Sequence, residues 1–307
     1  MTLTVRIDEL LELRHGAHVL GLSSRHRVRS VLSGLYASVF RGQGMDFEET
    51  REYQEGDEIR NMDWRVTART GVAHLKVFRE ERERSVVLCV DAGPHMQFGT
   101  RGTFKSIQAA RASALLGWSA SSNQDRVGAM LFGDPNHEAR YFRPSRARLS
   151  MWRMLKALTE VPGTAPVEGD PLLDALDKLR LVAPTGALIF LIADLNRDPD
   201  PLHQPLGRLR QRHDVVLMPV DDPADRDIPA IGRIVFSTLD GTRLEVDTDS
   251  EAGRQHYRER WEKNRQAMQT LAGRLGLTLI PVPTNEEIHQ VLIQGLRRRA
   301  RIGGRSR

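Results

Sequence analysis

The sequence predicts an α/β fold: a doubly wound, mostly parallel sheet of Rossmann type with helices on both faces. Three observations lead there. Short apolar runs at 86–90, 187–193 and 215–220 have the length of buried strands. Amphipathic stretches separate them, as crossover helices require. Each run also ends in acid, at Asp91, at Asp194 and at Asp221-Asp222. Ligands of wound sheets gather outside the carboxyl ends of the strands, so these acids mark the edge where a site is expected.

The elements follow in order. Residues 8–13 read as a short helix, and 24–40 place Val28, Val31, Leu32, Leu35 and Val39 at helical spacing. The 45–69 stretch reads mostly as loop with short strands or turns, and 72–79 alternate like a half-buried strand. After the first apolar strand come a helix over 104–121, a strand over 126–132 and an edge segment near 139–142. Helices are predicted over 146–159, 172–181 and 201–212, between the remaining strands. Residues 233–247 read as a hairpin about Leu239-Asp240-Gly241, because Asp-Gly is a strong turn signal. A long charged helix over 251–275, a last strand over 277–281 and a helix over 285–298 capped by Asn285 close the chain. The expected organisation is 1–84 as an N-terminal helical and loop segment, 85–298 as the α/β domain and 299–307 as a basic tail. The hairpin and long helix, about 231–275, are an insertion in the domain.

Composition narrows the function classes. The 307 residues are 40% apolar, enough for a core, and mean hydropathy is −0.42. No apolar run approaches a bilayer span and no signal peptide is evident, which predicts a cytoplasmic protein. A single cysteine, Cys89, excludes an intrachain disulfide and any multi-cysteine zinc site; within SVVLCV it reads as an inert core thiol. The net charge of +5 owes much to arginines at 297–299, 301, 305 and 307. They read as a solvated terminus or as a foothold for an acidic protein, anionic lipid or nucleic acid, and the absence of interleaved aromatics weighs against the nucleic-acid role. His15, His18, His26, His137, His203, His213 and His256 lie among polar neighbours and read mostly as surface residues. No phosphate-binding loop, GxSxG elbow or HExxH motif is present, so no catalytic residue and no small-molecule substrate are expected.

The acidic edge is a candidate site for a hard cation. Oxygen ligands at strand ends suit Mg²⁺, and adhesion-type von Willebrand A domains use Asp-x-Ser-x-Ser on the first loop, a Thr on a second and an Asp on a third. Here the first loop reads Asp91-Ala92-Gly93-Pro94-His95, Asp170 stands at the second-loop position and Asp194 at the third. Gly93 supplies no ligand, and His95 is a nitrogen donor that Mg²⁺ rarely selects. Either the site has lost useful metal binding, or Asp91, His95, Asp170 and Asp194 hold a divalent ion weakly, Mg²⁺ or, with altered preference, Mn²⁺ or Zn²⁺, or these acids simply cap helices and strand ends. A metal-dependent phosphoesterase using Asp91, Asp170 and Asp194 is the alternative function.

The most specific stretch is residues 44–69, GMDFEETREYQEGDEIRNMDWRVTAR. Phe47, Arg51, Tyr53, Gly56-Asp57, Arg60, Asp63-Trp64 and Ala68-Arg69 match the signature of the DUF58 family in order and spacing. The Asp91 strand, Asp125-Arg126-Val127-Gly128 and the Asp194 strand follow, so the resemblance spans about 30–295. It implies a von Willebrand A-like fold and an adaptor working beside a MoxR-type AAA+ ATPase and a client protein. Some relatives carry two N-terminal membrane helices, which are not evident here. For the signature itself, Gly56 is expected at a tight turn. Arg51, Arg60 and Arg69 are expected to pair with Asp57, Asp63 or Glu49. Tyr53 and Trp64 read as anchors for the core or for a partner.

Overall fold

The computed structural model describes residues 4–17, 46–54, 62–79, 84–165, 169–237 and 243–303. The expected helix over 24–40, the tight turn at Gly56-Asp57, Arg60, the 239–241 turn and the end of the basic tail lie outside them. The chain divides into two units: Val39–Glu83, and Met1–Ser38 with Arg84–Arg307. The expected 1–84 segment is therefore split, because the first helices belong with the sheet. Trp118 donates its indole N–H to the Leu10 carbonyl at 2.9 Å, and Arg111 pairs with Glu9.

In the larger unit, α1 (Ile7–Glu12) and α2 (Arg14–Ala17) precede the sheet. In the smaller, β1 (Asp46–Glu52) runs antiparallel to β2 (His74–Arg79). Between them lies α3 (Trp64–Thr70), where mostly loop is expected. The helix is set by its ends. Asp63 accepts from the Arg65 and Val66 amides, and Gly71 closes it at φ 75°.

The sheet unit alternates as expected: β3 (Ser85–Asp91), α4 (Lys105–Ser122), β4 (Arg126–Phe132), β5 (Arg140–Ser145) and α5 (Arg148–Ala157). Then follow α6 (Pro171–Val182), β6 (Leu188–Ala193), α7 (His203–Arg210), β7 (Asp214–Asp221) and the single-turn α8 (Pro223–Arg226). The antiparallel pair β8 (Arg233–Ser237) and β9 (Arg243–Asp247) leads into α9 (Glu251–Leu275). Two short strands, β10 (Thr278–Leu279) and β11 (Val282–Pro283), replace the single last strand; α10 (Ile288–Gly303) follows. Asn285 does not cap α10: the Glu287 carboxylate takes the His289 and Gln290 amides.

The sheet order is β10-β7-β6-β3-β4-β5, with β11 also on β7, and only β5 is antiparallel. Alternation along β3 separates two cores. Val86, Leu88 and Val90 face α1, α4, α5 and α10, while Val87 and Cys89 face α6, α7 and α9. Burial, with Asp91 nearby, pushes the Cys89 thiol pKa well up, so it stays a core thiol. His213 is a correction: only 2% exposed, it stands just before β7, and among the described residues neither ring nitrogen has a hydrogen-bond partner. Burial and Arg212 lower its basicity.

Gly128 has a packing reason. A Cβ there would lie 2.5 Å from the Phe142 carbonyl oxygen and 2.7 Å from the Pro144 nitrogen, where β5 shifts register against β4. Gly128→Val is expected to cost about 1–3 kcal/mol by overpacking, read as a lower urea midpoint; an unchanged midpoint would remove this explanation.

Candidate functional site

Because β3 pairs with β6 and β6 with β7, all parallel, their carboxyl ends form one rim. Asp91 and Asp221 end β3 and β7, and Asp194 follows β6. The three strand-end acids are thus brought to one edge, and each already has partners.

Asp91, 5% exposed, takes the Gly93 amide on Oδ1 at 2.9 Å and His95 Nε2 on Oδ2 at 2.8 Å. Burial alone would lower the basicity of His95. The hydrogen bond and charge of Asp91, with Asp194 beyond, outweigh it and raise the imidazole pKa. Gly93 permits this pose. A Cβ there would lie 2.6 Å from His95 Cε1 and 2.7 Å from Nδ1, so any larger residue pushes the ring away from Asp91.

Asp194 is held by Lys105, the first residue of α4 and only 2% exposed. The ammonium lies 2.7 Å from Asp194 Oδ2 and 2.7 and 2.9 Å from the two oxygens of Asp225. The Phe98 ring stands 5.5 Å from it. Burial pulls the Lys105 pKa down, but the two acids outweigh it and hold the ammonium charged. Burial likewise raises Asp194, and Lys105 more than reverses this. Asp225 shares the same ammonium and stays raised, chiefly by burial.

Asp170 does not complete a ligand set with these. It caps α6 by accepting from the Leu172 and Leu173 amides, and the Arg197 guanidinium clamps both its oxygens. Those bonds outweigh burial and hold its pKa low. Among the described residues, no three His, Cys, Asp or Glu side chains group as metal ligands. The expected quartet of Asp91, His95, Asp170 and Asp194 is therefore not gathered into one ligand group. The physical reason is that Lys105 and Arg197 hold two of its acids and Gly93 supplies no donor.

Beyond β6 the rim is braced by residues that spacing does not reveal. Asp222, 2% exposed, accepts from the Thr100 amide at 2.8 Å, the Thr100 hydroxyl at 2.5 Å, the Thr284 hydroxyl at 2.6 Å and the Ala224 amide at 3.0 Å. Burial works against its charge, but these bonds lower its pKa. Asp221 pairs with Arg265, which stacks on Trp261 at 5.0 Å. Burial, together with Asp194 and Asp225, still pushes Asp221 up to about 6 against the pull of Arg265. Beside it opens a groove of about 760 Å³ lined by Phe98, Ile231, Trp261 and Pro283.

The signature residues lie in the smaller unit. Phe47 and Arg51 sit on β1 opposite Phe78 and Leu75. Tyr53 donates its amide to the Ala73 carbonyl. Asp63 is buried and spends Oδ1 on the α3 cap. Arg69 is exposed in the last turn of α3, and Trp64, at its first position, is 67% exposed.

The profile of a family described as "Protein of unknown function DUF58" matches residues 49–267. Relatives in Mycobacterium bovis and Mycobacterium tuberculosis, each described as an uncharacterized protein, are 32% identical over 227 residues, 73% of this chain and 70% of theirs. Among solved structures, BatB from Bacteroides thetaiotaomicron aligns at 14% identity and TM-score 0.39, covering 63% of this chain and 98% of that one. The SpRpn10 VWA domain aligns at 11% and 0.38, covering 69% and 94%. Likeness at this level shows no more than the fold class, and strand order with the acid-tipped rim establishes a doubly wound, mostly parallel α/β sheet. With its signature in order and the match spanning most of its length, the chain belongs to the DUF58 family.

Proposed function

We propose that this protein is a non-enzymatic interaction module, an adaptor that docks a MoxR-type AAA+ ATPase and brings a client protein to it. The carrying observation is Trp64. A large aromatic ring, 67% exposed, opens a helix fixed at both ends by Asp63 and Gly71. Rigidly mounted aromatics are what interface hot spots are made of, and solvent exposure gives such a ring no role in the core. The partner class comes from the family resemblance. Among the described residues no helix is long and apolar enough to cross a membrane.

The test is a binding titration with a purified MoxR-type ATPase from the same cell. The intact chain is expected to bind. Trp64→Ala is expected to weaken binding by about 30-fold, the size of a 2 kcal/mol hot spot, with no change in melting midpoint. Absence of binding by the intact chain, or equal binding by the variant, would overturn the reading. Mn²⁺-dependent turnover of p-nitrophenyl phosphate that disappears in Asp91→Ala would put the phosphoesterase in its place.

A further inference from the structure

We propose that Lys105 is the resident cation of the rim: its tethered ammonium does the electrostatic work a divalent ion does in metal-binding sheets of this class, so the edge is complete without metal. The inference stands apart from the identity of any partner.

Placement supports it first. Lys105 begins the helix that follows the first loop, and its ammonium sits between the acid ending β6 and the acid on α8. A cation between carboxylates from different loops is the charge arrangement of a bound ion. Burial to 2% exposure leaves it no hydration shell, so the carboxylates and the Phe98 ring take that shell's place.

The remaining departures agree with a replacement. Gly93 and His95 are coupled, because a side chain at 93 would displace the ring that bonds Asp91. The first-loop acid is thereby given an imidazole partner inside the protein. The second-loop acid, Asp170, is given Arg197 in the same way. Each acid that would have faced an ion faces a side chain that carries or can carry positive charge. A divalent ion entering here would meet the ammonium's charge and find no hydroxyl donor on Gly93. Simple loss of a metal pattern would leave bare acids; here Asp91, Asp170 and Asp194 each have a partner.

The experiment uses the full chain. After stripping with EDTA, the intact protein is expected to melt at the same temperature with EDTA or with excess MnCl₂, and calorimetric titration with MnCl₂ is expected to show no saturable site. Lys105→Ala, which leaves room for an ion, is expected to melt lower, to bind one Mn²⁺ saturably and to regain part of its stability when it does. Three results would overturn the proposal. One is saturable Mn²⁺ binding by the intact chain that Asp91→Ala or Asp194→Ala abolishes. Another is a Lys105→Ala protein as stable as the parent without metal. The third is a destabilised Lys105→Ala that Mn²⁺ does not restore, which would make the lysine an ordinary buried ion-pair partner. If Lys105→Ala does not fold, Lys105→Met combined with Asp194→Asn and Asp225→Asn decides. Folding of that neutral triple variant supports the counter-ion role, and failure to fold overturns it.

Discussion

Lys105→Met is expected to destabilise the sheet unit by about 3–5 kcal/mol, the cost of leaving buried charge without its partner. Methionine matches the unbranched lysine chain, so packing is nearly kept and the ammonium alone is lost. Asp194 and Asp225 then face each other across the vacated site, with side chains only 22% and 10% exposed. At about 2–4 °C per kcal/mol for a unit of this size, the melting midpoint should fall by roughly 6–20 °C. The sign of the pH dependence follows. In the parent, Lys105 holds the Asp194 pKa low, so that stability is present above the ordinary carboxylate range and lost as pH falls through the depressed pKa. In the variant the two acids are raised, and the penalty is largest at pH 8 and shrinks as they take up protons at lower pH. Calorimetry at pH 8 and pH 5 checks both points. A loss under about 1 kcal/mol, the value of an exposed pair, would show that the cluster is not electrostatically closed.

Asp222→Asn carries the second large effect. One carboxylate accepts from the amide and hydroxyl of Thr100, the Thr284 hydroxyl and the Ala224 amide. An amide of the same shape keeps one acceptor oxygen and turns an NH₂ toward a backbone amide that cannot accept it, leaving only a Thr hydroxyl able to turn and do so. Leaving such buried donors unsatisfied is expected to cost about 2–4 kcal/mol in all. Urea unfolding at pH 7 measures it. The Asp222 pKa is depressed in the folded state, so its contribution is present above about 3.8, the unfolded value, and is lost as pH falls through the folded value. The gap between parent and variant should therefore narrow on acidification. A gap independent of pH would show that hydrogen-bond geometry, not charge, sets the loss.

The fold was legible because its strongest signals are local. Fully apolar strands tipped with acid, and amphipathic stretches between them, survive without knowledge of tertiary contacts; α9 matches its expected limits for the same reason. The misses share a cause. α3 has no apolar stripe, and only its terminal pair, Asp63 and Gly71, signals a helix. His213 has polar sequence neighbours, yet the turn into β7 buries it. Lys105 falls in no motif, and because lysine is rarely buried nothing singles it out along the chain. A partial signal was available, since α4 is built largely of small and apolar residues, which suits a helix packed closely at the centre of the unit. A lysine opening such a helix needs an acid nearby. Which acid it finds depends on β6 and α8, many residues later, and spacing along the chain does not encode that.

The outer neighbour of β7 is supplied only by residues 278–283, after the hairpin and all of α9 have been made. During synthesis the β7 margin therefore waits, with hydrogen-bonding groups unmatched, while more than fifty further residues leave the ribosome. A nascent chain stalled in that interval is the form most exposed to mispairing with its neighbours, and early chaperone attendance would matter most there.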